Sequence, residues 1–227
     1  MPPKKVSKEK VKEEIPVALS DSYIPTKPFD LKLSPRASNS ICMIGSTRSG
    51  KSTALSYILE HYFKKHIAVL MTNSPQAEIY KEMKHCVQSP KYHPKILKDM
   101  YAINRDTDNK YDFLAILDDV VTGVKFDKQI INLLCIYRNS CIASIITAQA
   151  VTLLNSAGRT NINFVLLFKL NSDEQIEKCV KFYLSSYFPK DMRMLDKIRY
   201  YREATQDHHF FIVDNLNGEV FRTKLEL

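Results

Sequence analysis

The octapeptide Gly45-Ser46-Thr47-Arg48-Ser49-Gly50-Lys51-Ser52 constrains this chain more than any other segment, because its spacing makes structural sense only between a strand and a helix. The apolar run Ile41-Cys42-Met43-Ile44 supplies the strand. The helix is Ser52–Phe63, where apolar residues at 54, 55, 58 and 59 share one face. In such a unit the loop amides and the helix N-terminus converge on phosphate, and glycine is needed where the chain turns tightly. Two of the chain's five glycines hold the two demanded positions. Gly45, Ser46, Thr47, Arg48, Ser49, Gly50, Lys51, Ser52 and the adjacent Thr53 are therefore expected to hold a nucleoside triphosphate, ATP first. Lys51 is placed to bridge the β- and γ-phosphates, and the Ser52 hydroxyl to ligate Mg2+.

The rest of the chain repeats the pattern of strand and helix. Apolar runs at 67–71, 113–117, 142–146 and 164–168 are short and nearly continuous, as in strands covered on both faces. Helix-like stretches lie between them at 77–85, 126–137 and 173–183. This alternation predicts a three-layer α/β/α P-loop NTPase fold around a mainly parallel central sheet. Residues 209–213 and 219–223, joined by Asp214-Asn215-Leu216-Asn217-Gly218, predict a C-terminal β-hairpin. The organisation expected is a basic, proline-containing N-terminal arm over 1–35, an ATPase core over 36–205, and a hairpin over 206–227 appended to that core.

The run at 113–117 ends in Asp118-Asp119. In P-loop proteins an acid at this place holds Mg2+, usually through water, which assigns Asp118 to the metal. Asp119 is then placed to polarise the attacking water as general base. Between the phosphate-loop strand and this acid strand the sequence inserts the run at 67–71, which ends in Thr72-Asn73-Ser74-Pro75. An inserted strand together with an acid pair points to the branch of P-loop proteins that contains motor ATPases. The stretch Ile142-Ala143-Ser144-Ile145-Ile146-Thr147-Ala148-Gln149 offers a polar sensor for the γ-phosphate, Gln149 first and Thr147 in reserve. Arg138 and Arg159 flank this stretch and are candidates for an arginine finger supplied to a neighbouring subunit.

The net charge of +8 favours a polyanionic partner, nucleic acid foremost. The five cysteines, at 42, 86, 135, 141 and 179, are scattered without a C-x-x-C pair and read as reduced thiols rather than a disulfide frame or zinc site. No apolar stretch reaches transmembrane length, and the charged N-terminus has no apolar h-region, so neither a membrane span nor a secretory signal is expected.

Taken together, Gly45–Ser52, Leu117-Asp118-Asp119, the stretch from Arg138 to Gln149 and Arg159-Thr160-Asn161 resemble the A32-like genome-packaging ATPases of large DNA viruses and virophages, within the FtsK–HerA superfamily of DNA-pumping motors. The similarity covers about residues 38 to 185. The resemblance implies ATP hydrolysis coupled to translocation of double-stranded DNA into a capsid by a homo-oligomer, as a ring. It carries over Lys51, Ser52, Asp118, Asp119 and Gln149 as phosphate, magnesium, base and sensor positions. It implies an intracellular setting, the host cytoplasm or viral factory and the virion, and makes a capsid or vertex protein a further candidate partner. Two positions depart from the pattern: Asp119 stands where many relatives carry Glu, and Asn139 follows Arg138 where the viral proteins carry His. Two other readings of a nucleotide-binding chain are a small-molecule, nucleoside-type kinase and a nucleotide-dependent scaffold without turnover.

Overall fold

The computed structural model describes residues 23–33, 38–74, 86–120, 128–153 and 156–226. In chain order the elements are β1 (Ser40–Ile44), α1 (Lys51–Tyr62), β2 (Ile67–Thr72), β3 (Cys86–Ser89), α2 (Pro94–Asp106), β4 (Phe113–Asp118), α3 (Lys128–Cys135), β5 (Ile142–Ala148), α4 (Ser156–Thr160), β6 (Phe164–Leu167), α5 (Asp173–Cys179), α6 (Met194–Ala204), β7 (Phe210–Asp214) and β8 (Glu219–Thr223). The strands form one sheet in the order β3-β2-β4-β5-β1-β6-β7-β8. β3 through β6 run parallel, whereas β7 and β8 are antiparallel. The helix expected at 77–85 lies outside the described residues.

The continuous apolar runs have a plain cause: each strand buries both of its faces. Ile41, Met43, Leu114, Ile116, Ile145 and Leu166 point to one core, where α1 contributes Ala54, Leu55 and Ile58. Cys42, Ile44, Ala115, Leu117, Ile146 and Leu167 point to the other, beneath α2, α3, α5 and α6. The result is the three-layer α/β/α arrangement expected of a P-loop NTPase. α5 continues into a π-helical turn, Val180–Leu184.

Two expectations about the chain ends change. The hairpin is not an appendage: β7 pairs with β6 from Phe164↔Asp214 to Leu167↔Phe211, and Phe210, Phe211 and Ile212 sit in the two cores. Residues 23–33, read as part of the solvated arm, pack onto this hairpin and onto α1, where Leu31 N donates to Tyr62 OH (3.2 Å). Ile24 is fully buried, Lys27 N donates to Arg222 O (2.9 Å), and Arg222 N donates to Pro25 O (2.8 Å). Pro25 and Pro28 suit an extended segment that meets the sheet edge at one parallel bridge, Thr26↔Arg222.

Helix α2 went unread in the sequence although it carries a helix-start signal, Pro94 at its first turn. Its buried Asn104 donates from Nδ2 to Tyr111 O (2.7 Å) and Ser140 O (2.6 Å), and its Oδ1 accepts from Tyr111 N (3.2 Å). One amide thus ties the entry of β4 to the turn before β5. Asn104→Leu is expected to cost about 2 kcal/mol, because it strands two part-buried carbonyls and an amide. Denaturant unfolding at constant m-value checks this.

Candidate functional site

The phosphate loop is fixed at its base by the strands on either side of β1. Gly45 N donates to Ala148 O at the end of β5 (3.1 Å), and Ser46 N donates to Lys169 O just past β6 (2.9 Å). A side chain at Gly45 would place its Cβ 2.6 Å from both Phe168 Cβ and Ser49 Oγ, so the close approach requires glycine. Gly50, with φ 97°, makes the left-handed turn into α1. The first turn of α1 carries no acidic residue, which leaves its amide dipoles free to attract an anion. Thr47, Arg48, Ser52 and Thr53 are exposed on the loop and the first turn. Lys51 is buried, with Nζ donating to Gly45 O (2.7 Å) and Ser46 O (2.9 Å). Burial lowers the pKa of its ammonium, opposed by the attraction of Asp119 and then Asp118.

The acid pair stands at the end of β4. Asp118 is buried, and its Oδ1 accepts from Thr147 Oγ1 (2.7 Å) while Oδ2 accepts from Thr72 Oγ1 (3.4 Å). Asp119 leaves the strand in a left-handed conformation, φ 50°. This turn directs its amide to Thr147 Oγ1 (3.0 Å) and its Oδ2 to Gln149 Nε2 (3.1 Å). Asn73 Nδ2 donates to Asp119 O (3.3 Å).

The strand that separates the phosphate loop from the acids in space is therefore β5, the sensor strand. The run at 67–71 lies beyond β4. β5 contributes both polar residues read from the sequence, in different parts: Thr147 couples the two aspartates through one hydroxyl, and Gln149 holds the outer one. Thr72 and Asn73, at the end of β2, join the site without having been assigned to it. Their signal was available, since β2 also ends in polar residues after an apolar run.

Lys51, Asp118, Asp119, Thr147 and Gln149 thus come together, and the two arginines do not join them. Arg138 is exposed in the turn before β5, at the opposite end of the strands from the loop, about 20 Å away along a seven-residue strand. Arg159, in α4, stacks its guanidinium 4.3 Å above the Phe182 ring on the π-helical turn.

The residues fit a Mg2+–nucleoside triphosphate. Ser49 Oγ is a buried hydroxyl of the loop with no hydrogen-bond partner among the described residues, and open space surrounds Gly50 Cα where a side chain would project. Ser52 and Asp118 offer the hard oxygen donors that Mg2+ prefers.

The fold is shared with several solved structures. The genome packaging NTPase B204 from Sulfolobus turreted icosahedral virus 2, in complex with AMP, superposes with a TM-score of 0.60 at 16% identity, over 84% of this chain and 98% of that one. The pCW3 conjugation coupling protein TcpA, with ATPgS, matches with a TM-score of 0.60 at 17% identity, over 92% of this chain and 69% of that one. EssC (ATPases 2 and 3) from Geobacillus thermodenitrificans matches with a TM-score of 0.55 at 14% identity, over 81% of this chain and 39% of that one. These likenesses agree with the fold expected from the sequence. No protein-family model matches the chain, and no curated protein matches it in sequence.

Proposed function

We propose that this protein is an ATPase that drives double-stranded DNA into a viral capsid. The observation that carries the ATPase reading is the convergence of Lys51, Asp118, Asp119, Thr147 and Gln149 at the ends of three adjacent strands, β1, β5 and β4. Lys51 Nζ exchanges its loop carbonyls for β- and γ-phosphate oxygens. Ser52 and Asp118 would hold Mg2+, which would neutralise charge on the phosphates. Asp119 accepts the proton of the attacking water, and Gln149, already bonded to the Asp119 carboxylate, reports the loss of the γ-phosphate.

The packaging reading is supported by the fold shared with a viral genome packaging NTPase over 98% of that protein's length, and by the net charge of +8. Arg138 and Arg159 stand away from the chain's own phosphate loop, where a finger reaching into a neighbouring subunit belongs. The protein then works as a homo-oligomeric ring inside the infected cell and against the capsid. No helix among the described residues is long and apolar enough to cross a membrane.

DNA binding tests the reading. A motor that tracks phosphates binds duplexes of unrelated sequence alike, and its affinity falls by about a thousandfold between 50 and 200 mM salt. Fluorescence anisotropy across a salt series, with the oligomer's mass measured on the same sample, reads both properties. A salt-independent affinity, or no duplex binding at low salt, contradicts DNA translocation.

A further inference from the structure

A cavity of about 400 Å3 lies on the far side of the phosphate loop from the acids. Its walls are Arg48 and Ser49 of the loop, Lys169 at the exit of β6, and the turn from Thr205 to His208 that joins α6 to β7. The side of the loop on which it lies matters. Asp118, Asp119 and Gln149 stand at the ends of β4 and β5, so the γ end of a triphosphate held by the loop points that way. The nucleoside end must leave toward β6 and β7, where the cavity opens.

The walls are held in place by a chain of bonds from the loop to α6. Asn171 N donates to Ser46 Oγ (3.0 Å), and Arg202 donates to Asn171 O (3.3 Å) and to Asp173 Oδ1 (2.6 Å). Tyr201 OH donates to Phe168 O (2.7 Å), and Arg222 Nε donates to Ala204 O at the last turn of α6 (2.9 Å). The turn itself is a type I′ turn: His209 N donates to Gln206 O (2.9 Å), while Asp207 and His208 take φ of 50° and 62°. Asn-Gly or Asp-Gly is the usual occupant of such a turn, so His208 stands where glycine is favoured. Arg48, with φ 61°, brings a third left-handed non-glycine residue to the same cavity. Strained backbone of this kind persists where the side chains are needed.

We propose that this cavity binds the ribonucleoside of the triphosphate, with Asp207 accepting from ribose hydroxyls and His208 stacking on the base. The inference rests on the ATPase reading above and adds the part of the protein that distinguishes a nucleotide from a bare polyphosphate. The size suits a nucleoside. Gln206 offers a donor and an acceptor to a base edge, and Arg48 and Lys169 offer cations to the α-phosphate.

Isothermal titration with Mg2+ and either ATP or inorganic triphosphate tests this in the full chain and in two variants, Asp207→Asn and His208→Gly. Both substitutions accept a left-handed conformation, so the melting temperature is expected to hold or rise. The wild type is expected to bind ATP at least about tenfold more tightly than triphosphate. Each variant is expected to lose about tenfold in ATP affinity and to keep its triphosphate affinity within about twofold. Unchanged ATP affinity in both variants overturns the proposal, as does an equal loss for the two ligands or a wild type that binds them alike. A wild type that binds neither ligand overturns the ATPase reading itself.

Discussion

Lys51→Ala is expected to weaken ATP binding by about 10- to 100-fold and to reduce turnover below detection, with the fold retained. Lys51 is the one cation buried in the loop, and its Nζ already sits against the Gly45 and Ser46 carbonyls that line the phosphate path. Without it, Asp118 and Asp119 face an incoming polyphosphate with less compensating charge between them, and the added repulsion compounds the lost hydrogen bonds. Titration of a nucleotide analogue gives the affinity, and phosphate release gives the rate. A Lys51→Ala protein with wild-type binding moves the phosphate site away from this loop.

Asp119→Asn separates binding from chemistry. Asparagine tolerates φ 50° as well as aspartate does, and its side-chain oxygen can still accept from Gln149 Nε2. The backbone amide at 119 keeps its bond to Thr147 Oγ1, so Asp118 stays oriented. What is lost is the acceptor for the water's proton. ATP affinity is expected to remain within about threefold of wild type while turnover falls by about 10²- to 10⁴-fold. Equal turnover in the variant assigns the base to another residue.

The features legible in the sequence were those whose chemistry is local. Gly45 and Gly50 are demanded by backbone geometry within one loop, and Asp118-Asp119 follow an apolar run long enough to reveal its strand. The parallel strands showed themselves because burial on both faces leaves an unbroken apolar run. What stayed hidden depends on contacts distant in sequence. β3, with Val87 exposed at the sheet edge, lacks that run, and α6 carries Arg, Lys and Tyr over a narrow buried face. Spatial order was also out of reach: β2 precedes β4 in the chain, yet β5 is the strand that lies between loop and acids. Thr147 shows the consequence. Its hydroxyl couples both aspartates only because β4 and β5 are neighbours, and a sequence window of any length would rank it behind Gln149. The packing of Ile24 and Leu31 was masked by prolines and lysines that also suit a solvated arm.

Coupling of ATP hydrolysis at this loop to double-stranded DNA is what sets a packaging motor apart from other nucleotide-binding proteins. It is tested most directly by steady-state phosphate release from the assembled oligomer at low salt, with and without duplex DNA, using Asp119→Asn as the blank. Turnover is expected to rise with duplex concentration to a plateau and to be absent in the blank. Turnover indifferent to DNA in the assembled protein would contradict the coupling.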